Sequence, residues 1–374
     1  MPQINNSDLK EILEIIISED DERKFDFDYP VESLQDGYLH TFKERMDEYL
    51  KRINSFPRTN IFGQKIFNEI NKISNLKDEI ENIILVYLSG RSKEAFEKFS
   101  NMINDYRTYI EKLSFKYEEN SKFYRMRISK DKNVNKLGEI FHISFDKRYL
   151  VSTQRYSVAG VPSLYLGNSL YACWQELEKP NLDDTFISEF NSTQQINILD
   201  FAITFNILKN SLDTEQAIKE EEKILSFFIL YPLIFACSFK KQYKNANFNI
   251  EYIIPNMILQ WLSNEKDHFH GIRYFSTKMN HKDFNSKGIN IVLPPKENKN
   301  SLRNEYCPRL KSLFSLTKPI HWTVLSSLQF LSLYMSGETV IYKDIEEALL
   351  KEYEQSLFGQ NEDKLNNFRK ELIH

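Results

Sequence analysis

Glycine is scarce in this chain: ten in 374 residues, with no glycine-rich phosphate loop and no G-x-G-x-x-G fingerprint. That removes the backbone devices with which P-loop enzymes and dinucleotide-dependent oxidoreductases cradle phosphate. Cysteine is scarcer still. Cys173, Cys237 and Cys307 are odd in number and far apart, so they form neither a disulfide framework nor a paired metal spacing, and a reducing compartment fits them best. A basic leader is missing too: "MPQINNSDLKEILEIIISEDDE" runs straight into acids and does not read as a secretion signal. The longest apolar run, "ILSFFILYPLIFACSF" (224–239), is too short to span a bilayer comfortably and carries Pro232 near its centre. It reads as the end of a buried helix followed by a buried strand. The net charge of −4 gives no global basic field, so nucleic acid is not indicated as a partner. These absences describe a soluble, cytoplasmic protein without a membrane partner, and 41% apolar with 14% aromatic residues is enough to bury a substantial core.

What is present changes along the chain. Residues 1–118 read as a helical, charged extension; in "SNLKDEIENIILVYLSG" Asn75 can cap, Ile80, Ile83, Ile84 and Tyr87 repeat at helical spacing, and Gly90 can stop the helix. Similar patterns recur around 8–17, 39–53 and 93–117. From about 119 the texture is mixed. "KFYRMRIS" alternates, with Tyr124, Met126 and Ile128 on one side and Arg125 and Arg127 on the other. "SLYLG", "QINILDF", "LIFACSF", "GIRYFS" and "GINIVLPP" also read as strands, between helices near 168–179, 213–230 and 254–264. After the loop "LPPKENKNS", residues 301–374 return to helical patterns such as "DIEEALLKEYEQSLF". The expected fold class is α+β: a mixed β core at 119–300 between two helical extensions.

Lysine dominates the cations, yet Arg125, Arg127, Arg148 and Arg155 fall together and the next arginine is Arg273. A guanidinium fork suits bidentate contact with phosphate or carboxylate. Surface ion pairing is the plainer reading of the cluster alone. In "TQRYSVAGVPSLYLGNSLYACWQELEKP" a turn and a strand lead into a helix that Asn168 or Ser169 can cap, with Leu170, Cys173, Trp174 and Leu177 as its apolar stripe. Glu176 and Glu178 fall on opposite edges of that stripe, and periodicity does not choose between them.

The blocks "FYRMR", "TQRYSVAGVPSLYLG", "CWQELEKP" and "YIIPNMILQWL" with "HGIRYFST", in that order, resemble the RES domain, a bacterial family named for an arginine, a glutamate and a serine. The resemblance covers about residues 119–300. It implies a core similar to the ADP-ribosyltransferase fold and, as in members known as toxins, degradation of NAD by phosphorolysis or hydrolysis of the bond to nicotinamide. Carried over by position, the family's arginines match Arg125 and Arg155, its strand tyrosine matches Tyr165, its glutamate matches Glu176, eleven positions on, and its serine matches Ser276. That spacing selects Glu176 over Glu178.

The chemistry agrees with these residue types. Positive charge builds on the ribose as nicotinamide departs, and a carboxylate beside the sugar stabilises that state more than the ground state. Glu176 takes this role. Arg125, and after it Arg155, would hold the phosphates; Tyr165, Tyr156 or Trp174 would face the pyridinium ring; Ser276 would hydrogen-bond the ribose or a phosphate. NAD is then a consumed substrate with inorganic phosphate or water as acceptor, and no cofactor is expected. An antitoxin-like inhibitory partner and a homo-oligomer are the further expectations. Transfer of ADP-ribose to a macromolecule, or an inactive NAD-sensing module, are the rival readings. His268 and His270 in "DHFHG", with His281 beyond, lack a recognisable third ligand, and Arg369 with His374 in "RKELIH" is read as coincidence, so no metal site is expected.

Overall fold

The computed structural model describes residues 6–17, 29–130, 134–211, 221–265, 268–279, 287–296, 305–328 and 353–373. They fall into two compact units, and neither is a contiguous piece of sequence. One draws on 1–115, 154–157 and 199–268, the other on 116–153, 158–198 and 269–374.

The first unit is helical. Its helices include Asn6–Ile17, Tyr38–Asn54, Ile61–Asn68, Ile70–Leu88, Ser92–Asp105, Glu221–Ala236 and Ile253–Asn264. Ile70–Leu88 starts five residues before the Asn75 expected to cap it, because Asn75 lies inside the helix; it stops where expected, with Gly90 at φ 84° just beyond. Ile80, Ile83 and Ile84 are buried as their spacing demands. The helical pattern read over 93–117 ends early, since Ser114–Tyr117 is a strand.

The apolar run is corrected more sharply. Glu221–Ala236 is one helix that continues through Pro232, and only Phe239 of the expected "LIFACSF" strand makes a β contact, an isolated bridge to Val31. Phe227–Ala236 is buried without interruption, so the helix is apolar all round and forms the centre of its unit. Tyr38 and Tyr49 donate to the carbonyls of Ala236 (2.9 Å) and Phe228 (2.8 Å). A continuous apolar run cannot be told from a buried strand by period alone. Residues 212–220, where that helix was expected to begin, lie outside the described residues.

The second unit is organised by a sheet. Among the described residues the sheet's ten strands are β1 (Ser114–Tyr117), β2 (Lys122–Ile128), β3 (Leu164–Gly167), β4 (Thr185–Ser192), β5 (Ile196–Phe201), β6 (Gly271–Phe275), β7 (Ile289–Leu293), β8 (Phe314–Thr317), β9 (Ile320–His321) and β10 (Lys370–Leu372); the unit boundaries at 115 and 198 fall inside β1 and β5, and the other eight lie wholly in the second unit. Their order is β1-β5-β6-β7-β3-β2-β4-β8-β10, with β9 on β4. Three of these strands lie beyond residue 300, where the sequence reads as a helical extension. They are short enough that the surrounding helical pattern hides them. Cys307, Leu313, Phe314 and Leu316 join the sheet's core with Phe123 and Leu166. Of "DIEEALLKEYEQSLF", residues 344–352 lie outside the described residues; Leu357–Leu365 is a helix.

Alternation sorts the two faces. On β2, Phe123 packs into one core cluster while Tyr124 and Met126 pack into the other, together with the helix Leu170–Glu176. Arg125 and Arg127 therefore share the Phe123 face, as expected; Ile128, at the strand's end, is exposed. All of β2 is in register with β4, whereas β2 and β3 share a single pair, Tyr124 with Gly167. The remaining pairs of β3 are made to β7. This weak seam in mid-sheet is where the helix Leu170–Glu176 departs.

Candidate active site

The helix is fixed before its chemistry begins. Gly167 ends β3 where a Cβ would lie 2.8 Å from Cys173 Sγ and 3.0 Å from Ser169 O, so the missing side chain lets the helix return closely onto the strand. Ser169 is the N-cap and its Oγ accepts from Ala172 N at 2.9 Å. Asn168, the other candidate, instead accepts from Ile289 N at 3.0 Å. The Cys173 thiol donates to Tyr124 O at 3.2 Å, and Leu170 is wholly buried.

At its other end the helix stops with Glu178 N on Gln175 O and Lys179 N on Trp174 O, both 3.0 Å. Glu178 and Lys179 hold φ of 64° and 56°, left-handed values that ordinarily favour glycine. Lys278 Nζ donates to the last helical carbonyl, Glu176 O, at 2.6 Å.

This framework delivers Glu176 to two donors from distant strands. Ser276, immediately after β6 and wholly buried, donates from Oγ to Glu176 Oε1 at 2.5 Å. Asn290 of β7 donates from Nδ2 to the same oxygen at 2.6 Å. The backbone fixes both donors: Ser276 N bonds Gly288 O at 2.8 Å, and Asn290 pairs with Gly167 and with Tyr274. Oε2 lies 4.0 Å from Lys278 Nζ, and 34% of the Glu176 side chain is accessible. The result is a carboxylate with one oxygen clamped and its other oxygen near the Lys278 ammonium. It can stabilise a developing positive charge or accept a hydroxyl proton without first reorganising. Glu178 is 68% exposed and pairs with Lys278 at 3.4 Å.

Arg125 lies at the seam between β2 and β3. Among the described residues its guanidinium makes one hydrogen bond, from Nη1 to Tyr165 O at 2.6 Å, and no salt bridge. Burial lowers its pKa to about 10, which leaves it charged at neutral pH. Arg127 bonds Glu139 O and Arg148 bonds Gly160 O at 2.8 Å. Burial, and after it the nearby Arg125 and Arg148, hold the His142 pKa at about 4. Arg125, Arg127 and Arg148 thus share one neighbourhood, anchored by carbonyls. Surface ion pairing does not explain Arg125.

Tyr165 stands half-buried on β3 and, by register, on the same face as Asn290 and Tyr124. Trp174 packs: it contacts Tyr171 and Phe358, and its indole donates to Pro180 O at 2.9 Å. Arg155 and Tyr156 belong to the first unit. Arg155 is buried there with Nη1 and Nη2 on the carbonyls of Cys237 and Phe239, and the Tyr156 side chain is wholly buried. Structure thus brings Glu176 and Ser276 into contact, sets Arg125 against the Tyr165 backbone from the opposite face of β2, and places Arg155 and Tyr156 inside the helical unit. Asn290 was missed. Its only signal is a lone amide in the apolar run "INIVL".

No group of three metal-ligating side chains occurs among the described residues, and His281 and His374 lie outside them. Also among the described residues, no helix is long and apolar enough to cross a membrane.

No protein-family model matches the chain, and no solved structure matches it. A curated relative does: the protein named "Putative toxin YopC" of Bacillus subtilis (strain 168) is 31% identical over 315 residues, covering 80% of this chain and 70% of that protein. The chain belongs to the same family as that Bacillus subtilis protein.

Proposed function

We propose that this chain is an NAD-consuming enzyme of the RES type, with a core similar to the ADP-ribosyltransferase fold, acting as a toxin or defence effector. It cleaves the nicotinamide–ribose bond with phosphate or water as acceptor. One observation carries the reading. The glutamate and the serine that match the RES motif are 100 positions apart in sequence and meet at 2.5 Å.

In this mechanism the Glu176 carboxylate stands beside the ribose and stabilises the positive charge that develops as nicotinamide leaves. Ser276 and Asn290 hold it there, so that no reorganisation is needed in the transition state. Tyr165, on the same face as Asn290, offers its ring to the pyridinium; Arg125, on the opposite face of β2 and without a carboxylate partner among the described residues, takes phosphate oxygens of the substrate where its guanidinium reaches the seam beside Tyr165 O. The relative's name adds support to the toxin part of the reading. Depletion of NAD would harm the producing cell, so a restraining partner protein belongs to the proposal.

The test is to incubate purified full chain with NAD, with and without phosphate, and follow nicotinamide release. Dependence on phosphate separates phosphorolysis from hydrolysis, and label appearing on a macromolecule would identify transfer instead. Glu176→Gln keeps the shape, loses the charge, and should abolish release while the protein stays folded. Absence of release under all these conditions refutes the proposal.

A further inference from the structure

Both ends of the helix Leu170–Glu176 are held, and its start is held from far along the chain. An α-helix leaves its first amides without intrahelical partners. Here Leu170 N donates to Glu362 Oε1 at 2.6 Å, and Ala172 N donates to Ser169 Oγ at 2.9 Å. Glu362 belongs to the segment Tyr353–Leu365, outside the stretch that resembles the RES domain.

Glu362 is 7% exposed, and its Oε1 also accepts from the Tyr353 hydroxyl. Phe358 and Leu365 of the same segment pack into the core cluster that contains Leu170, Tyr171 and Cys173. A helix of seven residues is about 10 Å long. A shift at its first turn therefore passes to Glu176 with little room for damping, because Gly167 and Cys173 already hold it against the strand.

We propose that Glu362 is a positioning residue for Glu176: the C-terminal segment fixes the first turn of the helix and so sets the reacting carboxylate against Ser276 and Asn290. The inference rests on Glu176 as the reacting group. It makes the C-terminal segment part of the machinery, so that anything displacing the segment would switch the site off.

The experiment uses the full chain with Glu362→Ala, which deletes the acceptor, and Glu362→Gln, which keeps one. Nicotinamide release is measured well below the melting temperature, together with amide hydrogen exchange of the peptide containing residues 170–176. Glu362→Ala should lower kcat by about tenfold or more with KM unchanged, and raise exchange of that peptide by a similar factor, as expected for leaving the buried Leu170 amide without its acceptor. Strands β2 and β4 should keep their protection, and Glu362→Gln should restore both readouts. Unchanged exchange in Glu362→Ala, equal loosening of all segments, or failure of Gln to restore would overturn the proposal. If the wild type releases no nicotinamide, the proposed function fails, while the exchange measurement still decides whether Glu362 holds the helix.

Discussion

Asn290→Ala removes one of the two donors on Glu176 Oε1 and leaves the backbone pairing of β7 in place. A hydrogen bond to a charged group contributes about 1.5–3 kcal/mol, and each 1.4 kcal/mol or so is a factor of ten in rate. The full loss would slow nicotinamide release by about 10- to 150-fold. Because a third of the Glu176 side chain is accessible, water can take the vacated position, which draws the expectation toward the lower end. KM should hold, since Asn290 acts on the carboxylate. Ser276→Ala removes the donor at 2.5 Å on the same oxygen, so the two losses should be coupled: the double variant should be faster than the product of the single effects allows. The assay is kcat at saturating NAD for the four proteins, with thermal melts confirming the fold. Asn290→Ala retaining more than half of wild-type turnover, or effects that simply multiply, would refute the idea of a shared clamp.

Three other outcomes follow from the geometry. Arg125→Lys keeps the charge and loses the fork, so the dissociation constant for NAD, measured by calorimetry, should rise by about tenfold or more; unchanged affinity would remove Arg125 from the binding role. Glu178→Gly relieves a left-handed φ at the cost of an exposed ion pair, so the melt should show a gain of up to about 1 kcal/mol with turnover intact; lost turnover would point to Glu178 as the working carboxylate. Burial raises the Glu362 pKa from 4.5 to about 7, with Tyr353, Leu170 and Lys287 opposing it and Glu354 adding to it. A raised carboxyl pKa favours the fold at low pH and loses that contribution as pH climbs through the folded value, here between 4.5 and about 7. Relative to Glu362→Gln, the wild type should therefore lose up to about 3 kcal/mol of stability from pH 4.5 to 8 in denaturant melts, and a flat or rising difference would contradict it.

The sequence was informative wherever a pattern was local. β2, β3, β6 and β7 were legible because alternation and flanking turns mark half-buried strands, and the cap was legible as Asn168 or Ser169, with only the structure choosing Ser169. The site was partly legible: Glu176 and Ser276 entered as separate matches to a motif. Their contact was not visible, because it depends on β6 and β7 being neighbours in the sheet. Asn290 carries only the faint signal of a lone amide in an apolar strand, and Glu362 none, being an acid in a helical stretch full of acids. Glu221–Ala236 misled for the opposite reason, since uniform burial erases the period that separates helix from strand.

The two-unit division changes what a truncation can test. The stretch resembling the RES domain, about residues 119–300, would be the natural fragment to express. Yet β8 pairs with β4 at Phe190–Leu316, Asn191–Ser315 and Ser192–Phe314, and β10 pairs with β8 in turn. Lys370 lies 3.2 Å from the wholly buried Glu189 of β4. Cutting at 300 would expose the edge of β4, strip Leu313, Phe314 and Leu316 from the core, and leave a buried carboxylate without its cation. Losing a partner of a buried ion pair alone costs about 3–5 kcal/mol, a large share of what holds a domain together. An inactive fragment would therefore reflect a broken sheet, whichever way the extension acts on the site. The C-terminal segment has to be probed in the intact chain, by single contacts such as Glu362 with Leu170, where the sheet remains whole and only the position of the helix is at stake.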